Sequence, residues 1–157
     1  METKNLLFAN LMDNDIVDIR DIIEQFEETE TDFVNRFNEQ HEPNDAIAES
    51  DNDLFKAWLS EISNDDEEAA DFELILSLLE NLKGYGGDEQ WRGDWYPITL
   101  IRDDYFEDYA QQLAEDIGAV DRNAAWPNNC IDWKQAAKEL EMDYSTIDFK
   151  KASYLYR

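Results

Sequence analysis

The sequence predicts a mainly helical α+β protein, with an acidic helical N-terminal arm and a C-terminal domain that holds two helices and a small antiparallel sheet. Apolar residues recur at intervals of three and four over much of the first half, and the C-terminal tail alternates apolar and polar residues. Four of the five glycines fall within residues 84–93. Because clustered glycines are typical of a break between units, we predict an acidic helical region at 1–83 and an α+β domain at 84–157.

The first region is expected to begin with a long helix. Over residues 13–30 apolar side chains recur every three or four positions, and Asp13 or Asn14 can cap the start. Residues 33–37 continue the apolar pattern after Thr31, so the helix either extends or restarts there.

Two shorter helices are expected before the glycine-rich segment. Residues 41–53 have few apolar side chains and are predicted to be a loop. Residues 54–62 form a short amphipathic pattern, and residues 63–82 carry a third apolar stripe after an acid-rich start. Gly84 is well placed to end this third helix in the left-handed conformation.

The C-terminal domain is expected to contain a short strand, two helices and a hairpin. Residues 98–101 alternate weakly and are predicted to be the strand. Asp103 can cap a helix that Gly118 ends, and Asp132 can cap the next helix. The tail, residues 145–156, is predicted to form the terminal hairpin.

The charge balance limits the possible partners. The chain has 39 acidic and 13 basic residues, a net charge of -26. Residues 1–79 hold 23 of the acids and 4 of the bases. Nucleic acids and anionic membranes bind through Lys and Arg, so neither is expected as a direct partner. The charge leaves basic proteins or cations as plausible partners, and a basic protein that itself binds DNA is the partner we expect. Hydrophobic residues make up 43% of the chain and indicate that it folds around a core.

A row of acids at a strict spacing of three runs from Asp15 to Glu30. Three residues advance about 4.5 Å along a helix axis, and each B-DNA strand carries one phosphate per about 3.4 Å. We therefore predict that carboxylates imitate phosphates here and pair with Lys and Arg of a target. The candidate phosphate-mimicking residues are Asp15, Asp18, Asp21, Glu24, Glu27, Glu28, Glu30, Asp65, Asp66, Glu67 and Glu68.

Two other interpretations of these acids remain open. Most charge runs are solvated surfaces, and a salt-adapted protein also accumulates acids. The acids at 65–68 complement the dipole at the start of a helix whatever else they do.

No catalytic, metal-binding or cofactor-binding residues are predicted. His41 is the single histidine, and Cys130 has no evident histidine partner. The Asp-Asn-Asp segments at 13–15 and 51–53 resemble fragments of a calcium loop but lack its turn glycine and its bidentate glutamate. The glycines at 84–87 precede acids and no lysine, unlike a phosphate-binding loop. We expect a protein that is not an enzyme.

A single cysteine and the absence of a recognisable signal peptide favour a cytoplasmic location, which would be the host cytoplasm for a phage protein. The aromatic residues Trp91, Trp95, Tyr96, Trp126 and Trp133 are expected to anchor the core and loops, with a dimer interface as the alternative.

Several C-terminal segments are similar to a known family. They are 86–97 (GGDEQWRGDWYP), 104–110 (DYFEDYA), 131–140 (IDWKQAAKEL), 143–144 (DY), 147–149 (IDF) and 154–157 (YLYR). Together they resemble the C-terminal half of ArdA-type antirestriction proteins, including phage-encoded relatives. Residues 1–83 share only acidity and helical character with that family, and Lys150-Lys151-Ala152 replaces its usual Asp-Gly turn.

The resemblance implies a homodimer that mimics bent B-form DNA, with the C-terminal domain as the dimer interface. Such proteins occupy the DNA-binding groove of type I restriction-modification enzymes without a cofactor. The resulting hypothesis is a DNA-mimic inhibitor of a host-defence enzyme. Two alternatives stay open: mimicry aimed at a CRISPR effector, a nuclease or a nucleoid protein, and an acidic chaperone or scaffold for basic proteins.

Overall fold

The computed structural model describes residues 12–41, 53–121, 123 and 125–157, and within them the α+β fold class is confirmed. In chain order the elements are β1 (Ile16–Asp18), α1 (Ile19–Gln40), α2 (Asp53–Ile62), α3 (Glu67–Leu82), β2 (Asp88–Trp91), β3 (Asp94–Tyr96), β4 (Thr99–Arg102), α4 (Phe106–Asp116), α5 (Trp133–Glu141), β5 (Ser145–Phe149) and β6 (Ala152–Tyr156). The predicted loop at 41–53 lies almost entirely outside the described residues.

The chain divides into two compact units. The first comprises Met1–Asn14 and Asp18–Ile98, and the second comprises Asp15–Val17 and Thr99–Arg157. The division therefore falls after Ile98 rather than at the glycine-rich segment, because the β2–β3 hairpin that follows those glycines belongs to the first unit.

Helix α1 starts later than the sequence pattern predicted. Its N-cap is Asp18, whose Oδ1 accepts a hydrogen bond from the Arg20 backbone N–H at 2.9 Å. The expectation of a cap at Asp13 or Asn14 is wrong, because residues 16–18 form strand β1 beside β4. The helix then runs without a break for 22 residues.

An aromatic core holds the helices of the first unit together. Phe72 of α3 stacks on both Phe26 and Phe33 of α1, with ring centroids 4.9 Å apart in each pair. Phe37 packs edge-on against Phe55 of α2 at 5.7 Å. All five rings are buried. Because aromatic side chains bury about 150–250 Å² each, they supply much of the hydrophobic stabilisation here.

The β2–β3 hairpin of the first unit was not predicted from the sequence. Its turn places Arg92 and Gly93 in the left-handed region, with φ of 52° and 77°. The Arg92 guanidinium lies 4.1 Å from the centre of the Trp91 ring and 2.6 Å from Oε1 of Glu30 on α1. Trp91 in turn packs edge-on against Phe26. This ion pair and the aromatic contact fix the hairpin on α1.

The second unit consists of a four-stranded sheet and two helices. The strand order is β1-β4-β6-β5, and β6 pairs antiparallel with both β4 and β5. Helices α4 and α5 pack on the sheet through a buried cluster that consists of Ile101, Phe106, Ala110, Ala137 and Leu155. The predicted tail hairpin and the two predicted helices are thus confirmed, and Oδ1 of Asp132 caps α5 by accepting a hydrogen bond from the Gln135 N–H at 3.1 Å. The expected cap at Asp103 is wrong, because Asp103 lies inside a short 3-10 turn (Asp103–Tyr105) and α4 starts at Phe106 without a side-chain cap.

The terminal hairpin turns at Lys150 and Lys151 without a glycine. Lys150 takes a φ of 54°, a left-handed conformation that glycine and asparagine adopt more readily. Phe149 and Ala152 still face each other directly across the turn. Lys150 and Lys151 therefore form a two-residue turn without a glycine.

Two tyrosines that pack against the buried cluster of the second unit form a polar contact. The hydroxyl groups of Tyr109 and Tyr144 lie 3.3 Å apart. Burial, followed by the hydrogen bond to Tyr144, raises the pKa of the Tyr109 hydroxyl to about 12.

Replacing Arg92 by Met should destabilise the protein by about 3 kcal/mol, because buried Glu30 would lose its ion pair with Arg92. The double variant Glu30→Met/Arg92→Met should recover most of the loss, since no lone charge remains. Urea unfolding measures both values. A loss below about 0.5 kcal/mol for the single variant would show that the ion pair does not hold the hairpin.

The raised pKa of Tyr109 predicts a loss of stability at alkaline pH. In the unfolded chain tyrosine ionises at about pH 10. The neutral Tyr109 hydroxyl therefore stabilises the fold fully below that pH, and this contribution to stability is lost as the pH rises toward about 12. Absorbance titration of the folded protein should show a tyrosinate step toward about pH 12 that Tyr109→Phe removes, with Tyr85→Phe as the control at an exposed tyrosine. Equal curves for the two variants would contradict the assignment.

Candidate functional site

Helix α1 carries five of its six exposed acids on one side. With about 100° of rotation per residue, five exposed acids fall within about 80° of one another around the axis. They extend over about 27 Å of helix length. We call this set the acidic stripe; its members are Asp21, Glu24, Glu28, Asp32 and Glu39.

The prediction that Glu30 belongs to the exposed row is wrong. Its side chain is 7% exposed and forms the ion pair with Arg92. The reason is geometric: a step of three residues falls about 60° short of a full turn, so three such steps from Asp21 to Glu30 rotate by about 180°. Glu30 consequently lies on the buried side of the helix, where an acid requires a partner such as Arg92.

The two acids before α1 also differ from the prediction, because neither is in the helix. Asp15 precedes β1 and belongs to the second unit, where its backbone carbonyl accepts a hydrogen bond from the Arg102 N–H at 2.8 Å. Asp18 caps α1 and forms an ion pair with Arg20 at 3.1 Å. The hydrogen bond that the Arg20 guanidinium donates to the Asp18 carboxylate, followed by the charge of Asp18, raises the pKa of the Arg20 guanidinium. Asp18 therefore has a structural role.

Sequence reasoning missed Asp32 and Glu39. Both are exposed and lie on the side of α1 that carries Glu24 and Glu28. A search with the true helical period of about 3.6 residues finds them, whereas a strict period of three does not. The predicted row of acids would wind around the helix, whereas the acidic stripe in the structure stays on one side.

A shallow depression of about 320 Å³ adjoins the stripe. Its lining consists of Arg20, Ile23, Glu24, Glu27, Glu28 and Gln90. Gln90 comes from β2, so the hairpin borders α1 at the level of these three glutamates. Glu27 is exposed, but it lies about 60° beyond Glu24 and faces the hairpin side.

The start of α3 provides a second group of acids in the same unit. Asp65 and Glu67 are exposed, and Glu68 is half-buried. Asp66 caps α3 by accepting a hydrogen bond from the Ala69 N–H at 3.2 Å and pairs with Arg36 of α1 at 3.3 Å. Asp66 is therefore structural, and its ion pair places the acidic turn next to α1.

The linear charge density of the stripe is lower than that of DNA. Five carboxylates over about 27 Å give one charge per about 7 Å, about half the density of one DNA strand. The first unit as a whole is nevertheless strongly negative, with 26 acidic and 6 basic residues and a net charge of -20. The second unit has 13 acidic and 7 basic residues, a net charge of -6. The charge is thus concentrated in the unit that carries the stripe.

The second unit has acids at the start of α4 that were not among the candidates. The exposed ones are Asp103, Asp104, Glu107 and Asp108. Acids at a helix N-terminus complement the helix dipole, so these four have a structural explanation of their own.

Among the described residues, the potentially reactive side chains occupy structural positions. The His41 ring stacks on Phe37, and its Nδ1 lies 2.7 Å from the Phe37 carbonyl oxygen at the end of α1. Cys130 is exposed, with Sγ 3.4 Å from Oδ1 of Asn129. The same residues contain no group of three or more His, Cys, Asp or Glu placed to hold a metal ion. In the parts of the chain with assigned structure, no helix combines the length and apolar character that crossing a membrane requires.

Comparisons with protein-family models, curated proteins and solved structures found no significant match to this chain. The resemblance to ArdA-type proteins, and the homodimer that it implies, therefore remain predictions.

The acidic stripe should reduce the stability of the free protein. Glu28 has acids four residues away on both sides, and like charges at this spacing repel by about 0.2–0.5 kcal/mol per pair. Glu28→Gln should therefore raise the free energy of unfolding by about 0.5–1 kcal/mol at low salt. Because salt screens exposed charges, the gain should nearly vanish at about 1 M salt. An equal gain at both salt concentrations would indicate a cause other than repulsion.

Proposed function

We propose that this protein is a DNA-mimic inhibitor that occupies the DNA-binding groove of a host-defence enzyme, with type I restriction-modification enzymes as the first candidate target. The observation that carries the proposal is the acidic stripe, which presents carboxylates along one side of a continuous 22-residue helix. No covalent step is involved. The carboxylates pair with Lys and Arg side chains that otherwise contact phosphates.

The distribution of basic residues favours a binding role over simple solvation. Helix α1 contains two basic residues, Arg20 and Arg36, and their ion pairs with Asp18 and Asp66 use acids outside the stripe. Among the described residues, no ion pair is formed by the stripe members Asp21, Glu24, Glu28 and Glu39. These four carboxylates therefore remain able to pair with a basic partner.

The fold supports the stripe as a rigid surface. Phe26, Phe33 and Phe37 anchor the opposite side of α1 in the aromatic core, and the Glu30–Arg92 pair holds it against the hairpin. Side chains on a fixed helix lose less freedom on binding than side chains on a loop. Strong negative charge on one unit also accelerates encounter with a basic groove, in a manner that salt suppresses.

The proposal is tested by moving charge at constant net charge. In one variant Glu24→Gln and Glu28→Gln are balanced by Gln112→Glu and Gln135→Glu, which are exposed positions in the second unit. A DNA mimic should then inhibit a purified type I restriction-modification enzyme about tenfold less well, or about 0.7 kcal/mol per carboxylate. The matched control carries Gln112→Glu and Gln135→Glu alone and should inhibit at least as well as the parent.

The outcome separates the proposal from its alternatives. An acidic chaperone or scaffold responds to net charge, so undiminished binding of the rearranged variant would favour that class. Inhibition should also weaken as salt rises and as competing duplex DNA is added. Inhibition that is independent of salt would contradict the mechanism. If the restriction enzyme is unaffected but another nucleic-acid-binding protein shows these responses, the target assignment changes and the mimicry stands.

A further inference from the structure

The β2–β3 hairpin exposes a carboxylate and an indole side by side. Glu89 and Trp95 are directly opposite each other in the antiparallel pair, so their side chains share one face of the hairpin. Trp95 is 51% exposed, and Glu89 is also exposed. Within the described part of the chain, no basic side chain pairs with Glu89 or lies over the Trp95 ring.

At two other places in the first unit, an arginine side chain contacts both an aromatic ring and a carboxylate. Arg92 lies over the Trp91 ring and pairs with Glu30, at 4.1 Å and 2.6 Å respectively. Arg36 lies 4.8 Å from the centre of the Phe33 ring and pairs with Asp66 at 3.3 Å. An acid beside an aromatic ring is thus an arginine-binding arrangement in this protein.

We propose that Glu89 and Trp95 form a binding site for one arginine side chain of the basic partner. This inference rests on the proposed function, because it names the residue type that the inhibited protein presents to the hairpin. A guanidinium is planar, so it can stack on the indole while its N–H groups bind the carboxylate. A lysine ammonium is a compact, strongly hydrated charge and cannot stack in this way, so the site discriminates between the two cations.

The site is held in place before any partner arrives. The Trp95 backbone is paired with β2, and its carbonyl oxygen accepts a hydrogen bond from the Gly84 N–H at 2.7 Å. Gln90, the residue after Glu89, lines the depression beside the acidic stripe. The hairpin that carries the pair therefore borders the helix that carries the stripe. Exposed tryptophans are frequent anchors of protein interfaces, where they contribute more to affinity than most neighbouring residues.

Matched peptides of nine arginines and nine lysines provide the test. Their dissociation constants are measured for the wild-type protein and for Trp95→Leu, Glu89→Gln and Trp126→Leu, the last being a control at an exposed tryptophan of the second unit. Trp95→Leu should weaken binding of the arginine peptide about threefold and change binding of the lysine peptide much less. Glu89→Gln should act in the same direction, and Trp126→Leu should leave both constants unchanged.

An unchanged affinity of Trp95→Leu for the arginine peptide, or equal losses for both peptides, would overturn the inference. Circular dichroism verifies the fold of each variant; if Trp95→Leu does not fold, Glu89→Gln decides the matter by the same criterion. The proposed function fails separately, when the variant with rearranged stripe charges inhibits the restriction enzyme as well as the parent does. The two proposals can therefore fail independently. If Trp95→Leu keeps the preference for the arginine peptide while the stripe variant loses inhibition, the arginine site on the hairpin is refuted and the proposed function stands.

Discussion

The orientation of α1 about its own axis decides which acids this protein can present. The rings of Phe26, Phe33 and Phe37 must be buried, and this requirement fixes the rotation of the helix. Once the rotation is fixed, Glu30 has to lie inside and Glu28 has to lie outside, two positions apart in the sequence. The ion pair between buried Glu30 and Arg92 is a consequence of that requirement, since an acid on the inner side is tolerated only with a bonded partner.

The arrangement separates two uses of the same chemical group. Acids with a local partner build the fold: Asp18, Asp66 and Asp132 cap helices, and Glu30 holds the hairpin. Acids of the stripe lie three or four residues from one another in places, a spacing at which like charges repel and are expected to lower the stability of the free protein. A surface that costs stability and lacks basic residues of its own is consistent with selection for binding, because solubility requires far less charge.

Much of the fold could be predicted from the sequence because its signals are local. Capping acids such as Asp132, and the alternation of the tail, are read from a few neighbouring residues. Strand β1 could not be predicted, since three residues become a strand only through pairing with β4 across the chain. The β2–β3 hairpin was missed for a related reason: its turn begins at Arg92, an unusual residue for a left-handed position, which is held there by Glu30.

The candidate site was predicted in part. The acidic character of α1 was evident from the sequence. Which of its acids are exposed depends on the helical period of about 3.6 residues, and with that period Glu30 is buried whereas Asp32 and Glu39 are exposed. The pairing of Glu89 with Trp95 could not be found, because it exists only in the register of an unpredicted hairpin. Interaction surfaces that depend on cross-strand neighbours are visible only once the register is known.

The central claim is that the stripe on α1 is the surface that a DNA-binding target covers. Carbodiimide labelling of carboxylates, read by mass spectrometry with and without a purified type I restriction-modification enzyme, tests it most directly. The account predicts protection of Asp21, Glu24, Glu28, Asp32 and Glu39 in the complex, reversed by competing duplex DNA. Uniform protection over both units, or protection that leaves the stripe fully labelled, would contradict it.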